Sequence, residues 1–182
     1  LYEDGVNTVI VFSSIFAATT LGFKSEELVG LYLVVQVTAL AGAFVMARPI
    51  DFWGPKRVVS LSLALWVLVT ILVYFIYRKA LFFAVASMAG LGLGTVQAAT
   101  RAFFAQFIPS GDESKYFGVY SLVGKTSAVI GPLIFGAVSS LTQNQRPAVA
   151  AVSFLFIAGF TILQFVKGGG PNVNRQAIGD GQ

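Results

Sequence analysis

The feature that most constrains this chain is a series of six apolar runs separated by short charged or proline-containing breaks. The runs cover about residues 5–22, 28–47, 58–77, 80–107, 117–140 and 148–167. A helix of roughly 20 apolar residues crosses a hydrocarbon core about 30 Å thick. Within lipid every backbone polar group must be bonded inside its own segment or barrel, and these runs lack the strict alternation of barrel strands, so they read as helices. Composition agrees, with 56% hydrophobic and 11% charged residues, against about 25% charge in a soluble domain. The expected fold is therefore an all-α membrane protein of six transmembrane helices spanning 1–167. The Gly- and Asn-rich stretch 168–182, with Pro171, is expected to be a disordered tail.

The breaks carry the topology. Lys24, Glu26 and Glu27 separate the first two runs, and the second run is expected to stop at Arg48 and Pro49, where the polar stretch RPIDFWGPKR begins. Arg78 and Lys79 form a tight turn, and PSGDESKY at 109–116 forms a polar loop. Six spans place both termini on one side. That side would carry Arg48, Lys56, Arg57, Lys115, Lys167 and Arg175, against Lys24, Arg78, Lys79 and Arg146 opposite, a bias that points to cytoplasmic termini. The chain starts at Leu1 with no Met and no basic leader, so it reads as a piece of a longer protein.

Cysteine and histidine are both absent. Disulfides, thiolate or imidazole metal sites and histidine-based relays are thereby excluded, and no metal or cofactor is expected. Enzyme chemistry would have to rest on bare Ser or Asp. The net charge of +4 comes mostly from basic residues at the ends of apolar runs, where lipid headgroups rather than nucleic acid would meet them.

Charges inside the runs are the candidates for function, because such residues are costly in a membrane and usually face the protein interior or water. Arg101 and Lys125 are the clear cases, with Gln97 four residues before the first and Ser121 four before the second. Both cations are reached from the same loop and so lie at similar depth. At the start of the first run Asp4, Asn7 and Thr8 follow an i, i+3, i+4 spacing beside Glu3. A plain reading makes Glu3 and Asp4 interfacial carboxylates and lets the cations snorkel. A sharper one pairs Asp4 with Arg101 or Lys125 in an ion pair that opens during transport or holds an anionic solute group. Without histidine, a proton carrier in this segment must be a carboxylate, which points to Asp4 or Glu3. Gly90, Gly94, Ala98 and Ala102 form a small-residue stripe suited to close helix packing; GLGLGT lacks the spacing and the preceding strand of a dinucleotide loop.

RPIDFWGPKR resembles the loop motif G-x-x-x-D-R-x-G-R-[RK] of the major facilitator superfamily, which joins the second and third helices of each six-helix half. Asp51, Gly54 and Lys56 match it, while Ala47, Phe52 and Pro55 depart from it. The stretches YEDGVNTV, GLGLGTVQAATRAFFAQFIP and YFGVYSLVGKTSAVIGPLIFG are similar to the C-terminal half of the unknown major facilitator family, whose eukaryotic members include vacuolar effluxers. The resemblance implies helices seven to twelve of a twelve-helix transporter, with Asp4, Asn7, Gln97 and Arg101 near a central cavity and Lys125 on a gating helix. It implies secondary transport of small polar solutes by alternating access, with amino-acid efflux as the substrate class. The alternatives are half of a sugar or glycoside symporter and a non-transporting structural subunit. Expected partners are the lipid bilayer, the solute, protons, and an N-terminal six-helix half or a second copy. The expected location is the inner membrane in a bacterium or the vacuolar membrane in a fungus.

Overall fold

The computed structural model of the chain describes residues 2–108, 111–126 and 129–166. Among these there are seven helices and no strands: α1 (Tyr2–Thr20), α2 (Ser25–Trp53), α3 (Pro55–Phe75), α4 (Lys79–Ala105), α5 (Glu113–Thr126), α6 (Ile130–Thr142) and α7 (Gln145–Phe165). By length and composition α2, α3, α4 and α7 are each long and apolar enough to cross a membrane. The stretch 168–182, Lys167 and the side chain of Lys125 lie outside the described residues.

Two boundaries differ from the sequence reading. Helix α2 does not stop at Arg48 and Pro49 but runs on to Trp53, so RPIDFWGPKR is helical except at Gly54. A proline costs its helix one hydrogen bond without necessarily ending it; here the break falls at Gly54, whose φ of 83° suits a residue without a Cβ, and Pro55 then occupies the first turn of α3. The apolar run 117–140 is divided into α5 and α6 rather than forming one helix. Pro132 has no N–H to give to a preceding carbonyl, and the N–H of Gly131 is taken by the Asp4 carboxylate of α1.

Helix α4 lies between α2 and α3, and α3 in turn packs on α7, which holds α1 and α6. The glycines of α4 make its two contacts possible. A Cβ on Gly90 would strike the Thr38 side chain and the Val35 carbonyl, and one on Gly94 would strike the Ala39 carbonyl, both on α2. Gly42 on α2 answers them, since its Cβ would sit 2.9 Å from the Leu91 Cα. Gly92 faces the other way, accepting a hydrogen bond at its carbonyl from Ser62 of α3 at 3.0 Å. Ala98 and Ala102 continue the stripe as half-buried residues against the core. The core itself centres on Trp66 stacked on Phe156, with ring centroids 5.4 Å apart, and on Phe16, Leu63, Val59 and Val152.

Most of α2 remains uncovered, exposing Leu33, Val37, Leu40 and Phe44. An apolar face of this kind is costly in water and at home against lipid or another helix.

Candidate functional site

The first turn of α1 ties three other helices together. Tyr2 donates its hydroxyl proton to Thr100 Oγ1 of α4 at 3.1 Å. Glu3 accepts a hydrogen bond from the Tyr120 hydroxyl of α5. Asp4 accepts the Gly131 N–H of α6 at 2.7 Å. Successive residues of a helix point about 100° apart, which lets three neighbours in sequence reach three different partners. Small residues allow the approach: Gly5 lies against the Phe156 ring, and Gly159 of α7 against Tyr2.

Asp4 is 1% exposed. Its Oδ2 is the atom bonded to Gly131, whereas Oδ1 is buried without a hydrogen-bond partner among the described residues. Thr8 stands one turn on, 2% exposed, with its hydroxyl turned back to the Asp4 carbonyl at 2.7 Å. Asn7 is exposed and so parts from the other two. The spacing explains the split: residues i and i+4 differ by about 40° around a helix and can share an inward face, while i+3 lies on the other side of i.

Gln97 and Arg101 are both exposed on α4. The Tyr2–Thr100 bond sets their end of α4 beside the first turn of α1, and Arg101 lies close enough to Tyr120 to interact with it electrostatically. No ion pair joins Asp4 to Arg101 among the described residues; the one ion pair there is Lys79 with Glu27, at 2.6 Å. Lys125 belongs to the last turn of α5. The geometry therefore separates two groups that the sequence placed together. A buried carboxylate faces α6, and an exposed polar set of Asn7, Gln97 and Arg101 faces outward from α1 and α4.

In the loop motif, Asp51 is exposed and makes no hydrogen bond or ion pair among the described residues. Lys56 does the connecting: its Nζ donates to the carbonyls of Gln164 at 3.1 Å and Val166 at 2.6 Å, which cap the end of α7. A second cation escaped the sequence reading. Arg146 is buried, donating to the Tyr74 and Ile76 carbonyls at the end of α3 and lying over the Tyr77 ring, 4.0 Å from its centroid. Its place at the start of an apolar run gave it the look of an interfacial charge; only the carbonyls left open at the end of α3 draw it inward.

A separate, mostly apolar cavity of about 100 Å³ lies between α1, α2, α3 and α4, with Ser13, Tyr32 and Gln36 at its polar edges.

The family model described as "Vacuole effluxer Atg22 like" matches residues 1–169. The chain belongs to that family. It is 28% identical over 165 residues to an uncharacterized MFS-type transporter, YxiO, of Bacillus subtilis, covering 91% of this chain and 38% of that protein. It is 26% identical over 178 residues to autophagy-related protein 22 of Candida glabrata, covering 92% of this chain and 33% of that one. A further relative, autophagy-related protein 22-1 of Penicillium rubens, is 25% identical over 180 residues, 91% of this chain and 30% of its own length. The chain thus spans about a third of the length of the curated relatives it matches. No solved structure matches it significantly. Family membership and four long apolar helices together make it an integral membrane protein.

Proposed function

We propose that this chain is the C-terminal six-helix half of a major facilitator transporter that moves small polar solutes by alternating access, and that it is not an enzyme. On this reading α1, α2, α3, α4 and α7 are five crossings and the α5–α6 pair is the sixth, with both termini cytoplasmic. The observation that carries it is the outward-facing polar set: Asn7, Gln97 and Arg101 are exposed on helices that are otherwise apolar. Such residues are costly against lipid and belong on the wall of a water-filled path. The other wall would come from the N-terminal half of the same full-length protein.

Amino acids are the favoured solutes. Arg101 offers a guanidinium fork for a carboxylate, and Asn7 and Gln97 offer amides for the remaining polar groups. The vacuole-effluxer description of the family supports the direction of export.

The test is transport of labelled amino acids, with labelled sugars in parallel, by the full-length protein in proteoliposomes. Arg101→Gln is expected to lower amino-acid transport by about tenfold or more, the loss of one charge-assisted contact, at equal reconstituted protein. Unchanged transport in that variant, or selective movement of sugars, would overturn the assignment. Lys125→Met is expected to lower transport too, in keeping with a place beside the gating segment.

A further inference from the structure

The N-terminus of α6 has no cap of its own. Its N-cap residue, Val129, has no side-chain acceptor, and Pro132 at the third helical position has no N–H. That leaves the Gly131 N–H as an inner donor of the first turn, and the Asp4 carboxylate of α1 fills the role that Ser or Asp plays when a helix caps itself. Gly131 is required for the approach, since a Cβ there would collide with Thr8 Oγ1 and come within 3.1 Å of Asp4 Oδ1.

Among the described residues the same contact is nearly the whole of Asp4's compensation. A carboxylate can accept about four hydrogen bonds, yet Asp4 is 1% exposed and, among the described residues, accepts one and leaves Oδ1 unpartnered. What makes the anion tolerable is the Gly131 N–H and the positive end of the α6 dipole. Withdrawal of α6 from α1 would strand a buried charge, which is strongly unfavourable unless the group becomes neutral.

We propose that Asp4 is a proton-binding site whose occupancy controls whether the first turn of α6 is held against α1. As the anion, Asp4 latches α6. A proton taken from water onto the carboxylate converts it to the neutral acid, breaks no covalent bond within the protein, roughly halves the strength of the Gly131 contact and removes the charge–dipole attraction. Helix α6, the second half of the broken span, is then free to part from α1. The inference deepens the transport reading and relies on it only for the use to which the motion is put.

The surroundings favour a proton over a metal cation. Titratable or charged groups at this level are Tyr2 and Glu3 on α1, Tyr120 on α5 and Arg101 on α4, with Lys125 in the last turn of α5. Helix α6 carries no charged residue, and α7 carries only Arg146, bonded to the end of α3. Charges on α2 and α3 sit at the ends of those helices, as Glu26, Glu27, Arg48, Asp51, Lys56 and Arg57. Glu3 is engaged by Tyr120, so among the described residues no second carboxylate joins Asp4 to supply the several oxygen ligands that a metal cation takes, whereas a proton needs one.

The motion can be read without a substrate. The chain has no cysteine, so spin labels at Leu133→Cys on α6 and Leu61→Cys on α3, both exposed sites, report the α6 position in the reconstituted full-length protein once any cysteines elsewhere in it are replaced. Lowering the pH should shift the label–label distance distribution between two populations, their ratio changing by up to about tenfold per pH unit for a one-proton link. Asp4→Asn should hold the low-pH distribution at every pH, and Asp4→Glu should keep the dependence with a displaced midpoint. Val129→Ser, which offers Gly131 a local acceptor, should weaken the dependence with Asp4 intact. A distribution insensitive to pH in the otherwise unaltered protein, a normal pH response in Asp4→Asn, or a shift driven by sodium at fixed pH would each overturn the proposal. Failure of the Arg101 transport test would leave this distance change untouched, so the two readings stand or fall separately.

Discussion

Glycine positions in this protein divide by what surrounds them, and the division predicts opposite outcomes for the same substitution. Gly94 meets the α2 backbone, whereas Gly30 has open space where a Cβ would go. Gly94→Ala should therefore force α2 and α4 apart and lower the melting temperature of the detergent-solubilised protein. Gly30→Ala should leave it unchanged or raise stability by up to about 1 kcal/mol, the helix-propensity gain of alanine over glycine. Arg146 makes a third residue-level case. Arg146→Met keeps the stem but abandons the Tyr74 and Ile76 carbonyls, and the loss of a buried charged hydrogen-bond donor corresponds to roughly 1.5–3 kcal/mol; denaturant titration in detergent would measure it. The sequence made the small-residue stripe on α4 visible through its spacing, but gave no sign that Gly92 turns away to α3 or that Arg146 is drawn inward. Both depend on which helices become neighbours.

At the scale of elements, four of the six apolar runs correspond to helices long and apolar enough to cross a membrane, α2, α3, α4 and α7, because lipid crossing demands long continuous runs. Hydropathy missed the division of 117–140, although Gly131-Pro132 was a breaker signal in plain view. Apolar character continues across the break, and what caps the start of the second helix is a carboxylate from α1, more than a hundred residues away in sequence. The motif loop shows the same limit: Lys56 finds its partners at Gln164 and Val166 on α7, beyond the reach of any local pattern. Gly54 offers a test of the turn that motif makes. With φ at 83° and ψ at 145°, a conformation open almost only to glycine, Gly54→Ala should cost about 1–3 kcal/mol despite having free space for a methyl group. Thermal unfolding against the Gly30→Ala control would separate backbone strain from crowding.

Across the whole molecule, cohesion is uneven. Helices α3 and α4 are packed on two sides, while the contacts described for α5 include the Phe117 and Tyr120 rings against Phe104 and the Tyr120 hydroxyl on Glu3. Amide hydrogen exchange in lipid nanodiscs should therefore run fastest in α5 and slowest in α3, with local opening free energies following the number of buried apolar neighbours. Equal protection in the two helices would show that lipid or the remainder of the protein stiffens α5 beyond what its own contacts provide. Of the candidate site, the sequence singled out Asp4, Asn7, Gln97 and Arg101 but not Tyr2, Thr100 or Tyr120, and it placed the charges in one cluster. Asp4 and Arg101 are both rare charges in apolar helices, and hydropathy cannot tell an inward-facing one from an outward-facing one.

The grip of Tyr2, Glu3 and Asp4 on three separate helices has a mechanical consequence. A roll of α1 about its own axis by even a fraction of a turn would pull all three side chains off their partners together, because none can compensate for another. The first turn of α1 thus acts as a hub with three spokes. Rearrangement of this end of the bundle is expected to proceed as one abrupt step with a shared threshold, rather than as a succession of independent slips.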